Sequence, residues 1–175
     1  MPCRLRLPGR KLRAAAAICT ALLPGFARAE LSKTFQVSAT IANGCSVTSA
    51  SGSDWGTIDL GTVAGTRTAT VEAGLLSGAV AGLQLDCTPG MTASVSADAG
   101  RNAIGGARQL ASQAERIGYQ LYVGTTATAW NAQAIGVSFP AGTSRQLLPV
   151  LARAALSGNA KAGTYRDTVQ ITLAW

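Results

Sequence analysis

Thr164-Tyr165-Arg166-Asp167-Thr168-Val169-Gln170-Ile171-Thr172-Leu173-Ala174-Trp175 ends the sequence, and its alternation decides the fold. Val169, Ile171, Leu173 and Trp175 fall on one side, and Thr168, Gln170, Thr172 and Ala174 on the other. A strand sends successive side chains to opposite faces, so this period of two describes a strand with one face in a core and the other in water. The pattern recurs upstream. Phe35, Val37, Ala39 and Ile41 alternate with Gln36, Ser38 and Thr40, and Leu83-Gln84-Leu85-Asp86-Cys87 runs into a turn at Pro89-Gly90. Ala93, Val95 and Ala97 form a further run, and Tyr119, Leu121 and Val123 share a face within Ile117 to Val123. Gln146 to Leu156 reads as another strand; Pro149 inside it has no N–H for a ladder, which predicts an edge or a bulge there. The nearest approach to helical spacing is Ala107 to Gly118, where Leu110, Ala114 and Ile117 suit a short helical turn. Short strands between Gly-, Ser- and Thr-containing turns predict an all-β antiparallel sandwich.

The formal charge of +7 comes mostly from residues 1–29. Arg4, Arg6, Arg10, Lys11 and Arg13 precede an apolar run from Ala14 to Leu23, which Pro24-Gly25 ends, and Ala27-Arg28-Ala29 supplies small residues around a cleavage point. These are the three parts of a secretory signal peptide, and they predict a mature start at Glu30. Ten apolar residues are too few to span a bilayer, which argues against a membrane anchor. Ile18 before Cys19 is too bulky for a lipoprotein site. Residues 30–175 then hold nine Lys and Arg against eight Asp and Glu, so no basic patch for nucleic acid survives. This one domain is long enough for a core and is expected outside the cytoplasm.

Cys45 and Cys87 remain after cleavage, 42 positions apart. In an oxidising compartment a disulfide is the default, stabilising by about 4 kcal/mol on the chain-entropy account. A metal pair or two free thiols are the alternatives, with no histidine to complete a zinc site. The same lack of histidine excludes a Ser-His-Asp triad and a Cys-His pair. Gly105-Gly106-Ala107-Arg108 lacks the ending of a phosphate-binding loop. Asp54 and Asp59 are a nominal carboxylate pair but read as turn residues, as does Asp98 before Ala99-Gly100. Trp55, Trp130 and Trp175, with Tyr119, Tyr122 and Tyr165, suit core and strand-corner filling better than a sugar site. The chain is therefore expected to be no enzyme and to take no cofactor.

Taken in order, these residues resemble the spore coat protein U family, which includes the secreted subunits of Csu-type, archaic chaperone–usher pili. The resemblance spans the predicted mature chain. It runs from Phe35-x-Val37-x-Ala39-x-Ile41 and Cys45-Ser46-Val47 through Asp54-Trp55-Gly56-Thr57 to Leu85-Asp86-Cys87-Thr88-Pro89-Gly90 and Asp98-Ala99-Gly100. Tyr119-Gln120-Leu121-Tyr122, Trp130 and Ala162-Gly163-Thr164-Tyr165-x-Asp167-Thr168-Val169 complete it. Trp55 stands where the family usually has Phe, and Asn131 where Gly often follows the tryptophan; both departures bear on loop geometry.

The resemblance implies an incomplete immunoglobulin-like sandwich of pilin type, lacking its last strand. A periplasmic chaperone would fill the resulting groove first. The N-terminal extension of the next subunit would then replace it, a case of strand addition to an open edge. Residues 30–44 are the candidate extension, with Phe35, Val37, Ala39 and Ile41 as donor side chains; the alternative is that they form the domain's own first strand. By the same resemblance Val169, Ile171, Leu173 and Trp175 form the strand that faces the chaperone, with Trp175 and its carboxylate at the anchoring cleft. The expected partners are that chaperone, an outer-membrane usher and further pilus subunits. The expected course is through the periplasm to the cell surface, where a pilus supports adhesion and biofilm formation. The alternatives are a spore or cell coat protein, and a tip adhesin that binds a surface glycan.

Overall fold

A computed structural model describes residues 31–48 and 54–175; the expected signal peptide, residues 1–29, lies outside the described residues. Thirteen strands follow in order: β1 (Cys45–Thr48), β2 (Thr57–Ile58), β3 (Thr68–Ser77), β4 (Val80–Ala81), β5 (Leu83–Cys87), β6 (Met91–Ala97) and β7 (Gln109–Ser112). After these come β8 (Glu115–Val123), β9 (Thr128–Ala129), β10 (Ile135–Phe139), β11 (Arg145–Leu148), β12 (Val150–Ser157) and β13 (Ile171–Ala174). Every pairing among the named strands is antiparallel, and no helix occurs among the described residues. Three sheets result: β1-β5-β11, β10-β6-β13, and a larger one in the order β2-β3-β12-β8-β7, with β4 beside β3 and β9 beside β8. The fold is the expected all-β antiparallel sandwich.

The core lies where the inner faces of these sheets meet. Leu83, Leu85 and Cys87 of β5 and Ala93, Val95 and Ala97 of β6 pack with Leu121 and Val123 of β8 and Val150 and Ala152 of β12. Trp130 and Phe139 are the largest fully buried side chains. Small alanines on β6 and β12 leave room for them, as a two-layer core of mixed volumes requires.

Two sequence expectations change in detail. Ala107 to Gly118 is not helical: Leu110 of β7 pairs with Ile117 of β8 in a hairpin. The alternation of Tyr119, Leu121 and Val123 extends back through the hairpin and outweighs the three apolar residues at helical spacing. Gln146 to Leu156 is two strands, because Pro149 is where the chain leaves β5's side for the larger sheet. Its missing N–H ends one ladder, and its carbonyl still accepts from Gly124 N at 2.9 Å. Cys45 and Cys87 form the expected disulfide, which lies within one sheet. They are register partners of β1 and β5 with Cα atoms 4.1 Å apart, a non-hydrogen-bonded pair bridged across strands, not a staple between layers.

The chain divides between Ala39 and Thr40. Residues 31–44 adopt no regular secondary structure on either side of that division.

Candidate functional site: two unpaired strand edges

Among the described residues β13 has one strand neighbour, β6, with Ile171, Thr172, Leu173 and Ala174 opposite Ala97, Ser96, Val95 and Ser94. The rung before this run shows which way the backbone faces. Gln170 O accepts from Asp98 N at 3.0 Å, so Gln170 points its backbone at the β6 side. Backbone direction alternates along an antiparallel strand, so Thr172 and Ala174 also face β6. Val169, Ile171 and Leu173 turn their N–H and C=O groups to the unpaired edge. Their side chains, in the same alternation, pack against the core. The edge thus offers backbone hydrogen bonds beside a partly covered apolar interior.

β1 repeats the arrangement. Thr88 N donates to Gly44 O at 3.0 Å, so the Gly44–Thr88 rung is hydrogen-bonded and Cys45 and Val47 face away from β5. Among the described residues β1 pairs with β5 alone. Cys45 and Val47 also pack against the core.

The approach to β13 is held by two carboxylates. Asp167 Oδ1 accepts from Asn102 N at 3.0 Å and Asn102 Nδ2 at 3.1 Å, while its Oδ2 accepts from the Tyr119 hydroxyl at 2.8 Å. Asp98 Oδ1 accepts from Gln170 N and Gly100 N, each at 2.9 Å. Asp98's carboxylate substitutes for its own carbonyl, which buried Arg108 occupies through Nε at 3.0 Å and Nη2 at 2.6 Å. Arg108 is 5% exposed and also donates to Trp130 O and Ala97 O. Its charge is thus held by three main-chain carbonyls, which meets the requirement that a buried cation be hydrogen-bonded. Burial, then the Asp167 hydrogen bond and charge, pushes the Tyr119 phenol well above its ordinary range. Gly100, at φ +83°, lies against Asp167: a Cβ there would overlap Oδ2.

The other candidate residues are placed as follows. Leu31, Phe35, Val37 and Ile41 are 83–87% exposed, and neither these nor Ala39 lies in a strand. Trp175 is 62% exposed beyond the end of β13. The aromatics do not converge: Trp130 is core, Trp55 packs at the core's edge, and Tyr122 lies on the outer face under the Arg153 guanidinium. A polar cleft of about 280 Å³ includes only Tyr165 among them, and an apolar one of about 310 Å³ beside Gly74 and Pro149 includes none. Asp59 caps Gly61 N at 2.8 Å as a turn residue. The sequence gives no sign of Asn102's role, shows Arg108 only as the end of Gly105-Gly106-Ala107-Arg108, and marks Asp98 as a turn residue alone. A lone arginine between Ala107 and the alternating β7 residues was the one available signal.

The comparison with protein families identifies the chain. The Spore Coat Protein U domain matches residues 31–172, and the chain belongs to this family. No curated protein matches it. Among solved structures it is similar to the complex of CsuC with the tip adhesion subunit CsuE from archaic chaperone–usher Csu pili of Acinetobacter baumannii. The identity is 18% and the TM-score 0.49, over 78% of this chain and 40% of that one. It is also similar to a chaperone–tip adhesin complex of CFA/I fimbriae, at 16% identity and TM-score 0.48, over 74% of this chain and 42% of that one. The chain spans less than half the length of either match.

Proposed function

We propose that the chain is an exported structural subunit of a chaperone–usher surface pilus, polymerising by donor-strand complementation. The observation that supports this best is the edge of β13. Val169, Ile171 and Leu173 turn unpaired backbone outward and half-covered side chains inward, which is what an added strand needs. The complementary element is residues 31–44, whose Phe35, Val37, Ala39 and Ile41 alternate yet lie outside any strand. Burying Phe35, Val37 and Ile41 at roughly 2 kcal/mol each gives about 6 kcal/mol, before any gain from backbone pairing. A segment that leaves its own domain to pair with the next copy makes a heterologous contact that does not close, and such contacts build filaments.

In this reading residues 1–29 direct export, and the Cys45–Cys87 disulfide forms in the periplasm. A chaperone occupies the β13 edge until the usher exchanges it for the next subunit's donor segment, with Trp175 at the chaperone's anchoring cleft. The surface fibre then serves adhesion and biofilm formation. The test is to co-express the full chain with a chaperone and usher encoded beside it, shear the cells, and run the material in SDS with and without boiling. A ladder that collapses to one band on boiling is expected. A single monomer band in both lanes would overturn the reading.

A further inference from the structure

Cys45 stands at the base of the 31–44 segment, and the strand it begins is weakly held. Among the described residues β1 has four residues, one strand neighbour, and exposed Ser46 and Thr48 on its outer face. Its disulfide partner sits differently. Cys87 is buried at the end of β5, which has β1 on one side and β11 on the other and buries Leu83, Leu85 and Cys87. Only Thr88, Pro89 and Gly90 separate Cys87 from β6, and β6 is the strand that pairs with β13. Thr88 also clasps the segment's last residue: Gly44 N donates to Thr88 Oγ1 and Thr88 N donates to Gly44 O, each at 3.0 Å.

We propose that the Cys45–Cys87 disulfide is a mechanical staple that carries fibre tension from the acceptor strand to the donor segment. This inference rests on the strand-exchange reading above. In such a fibre, tension enters a subunit at β13 through the bound donor and leaves through its own residues 31–44. From β13 it crosses the antiparallel ladder to β6, passes through Gly90, Pro89 and Thr88 to Cys87, and leaves by the disulfide at Cys45. Ser46 to Asp86, which hold β2 to β4 and all of β1 and β5 but their cysteines, stay off this path. Without the bond, the same tension would act one rung at a time, first on the Gly44–Thr88 rung and then along β1 from the Cys45–Cys87 pair. Peeling β1, and after it β3 from β12 and β5 from β11, would then release the intervening chain. Its 42-residue separation corresponds to about 150 Å of extended length per subunit at roughly 3.5 Å per residue.

The test uses assembled fibres, since the cysteine substitutions alone are expected to impair folding. Sheared fibres that give the boiling-sensitive ladder are stretched singly between beads, before and after treatment with a phosphine reductant. Alkylation and mass measurement confirm that the bond is open. Oxidised fibres are expected to show no extension step from the segment between the cysteines. Reduced fibres are expected to yield at lower force, with an added step of about 150 Å per subunit. An unchanged force–extension curve after confirmed reduction would show that tension does not pass through Cys45. Reduced fibres that fall apart without load would show that the bond holds the resting fold instead. Either result overturns the staple. Failure to obtain a ladder at all is a different outcome: it removes the assembly reading, and this inference with it.

Discussion

Gly100→Ala tests whether the carboxylate clasp behind β13 is as tight as its geometry. Two costs add. At φ +83° a residue with a Cβ is in the left-handed region, at about 1–2 kcal/mol. The new methyl would also overlap Asp167 Oδ2, the atom that accepts the Tyr119 hydroxyl at 2.8 Å. Displacing a hydrogen bond to a charged group costs about 1.5–3 kcal/mol. Together these predict a loss of about 2.5–5 kcal/mol. Tyr119→Phe removes the same hydrogen bond and leaves the ring, so it should cost about 1.5–3 kcal/mol. Because both variants act through one bond, the double variant should fall short of additivity by about 1.5 kcal/mol. Urea unfolding of the oxidised full chain, followed by the fluorescence of buried Trp130, gives all three values. A Gly100→Ala loss below about 0.5 kcal/mol, or strict additivity with Tyr119→Phe, would refute the clasp.

Val37→Asp or Ile41→Asp should abolish the SDS-resistant ladder while leaving a chaperone-bound monomer, because a charge would enter the groove; normal ladders from both would remove the donor assignment. Arg108→Lys should lower stability by about 3 kcal/mol in the same urea assay, since one ammonium cannot reach the carbonyls of Ala97, Asp98 and Trp130 together. Stability should also fall as pH rises above about 10. The folded Tyr119 pKa is raised, so the unfolded chain loses that proton first and the contribution fades with rising pH; Tyr119→Phe should flatten this part of the profile. At the acid end, the Arg145 hydrogen bond holds Asp86 below the usual carboxylate range. Its contribution should be whole above about pH 4 and fade as pH falls through the lower folded value, and Arg145→Ala should reduce that fade, the Thr48 hydrogen bond remaining.

Local patterns carried much of the fold. The alternation of Leu83 to Cys87, of Ala93 to Ala97 and of Tyr119 to Val123 is visible because each strand buries one face, and β5, β6 and β8 form where that alternation runs. Thr68–Ser77 and Ile135–Phe139 were not singled out as strands. Glycine and threonine dilute their alternation, and cross-strand pairing supplies what the side chains do not signal. The helical turn at Leu110 failed for a related reason: three apolar residues at the right spacing do not outweigh a hairpin partner.

The sequence by itself determined the class of the molecule: strands by period, a single cysteine pair outside the predicted leader, no histidine chemistry, and an alternating N-terminal segment. These are local or compositional properties and need no knowledge of what lies opposite. Tertiary structure alone decided where that chemistry meets. It placed the disulfide inside one sheet, left the outer edges of β1 and β13 without a strand neighbour among the described residues, and joined Asn102 and Tyr119 to Asp167, and Asp98 to Gln170, across 48 to 72 residues of chain. An edge is defined by the neighbour it lacks, and a hydrogen-bonded clasp by partners distant in sequence. Neither has a period that a one-dimensional reading can detect.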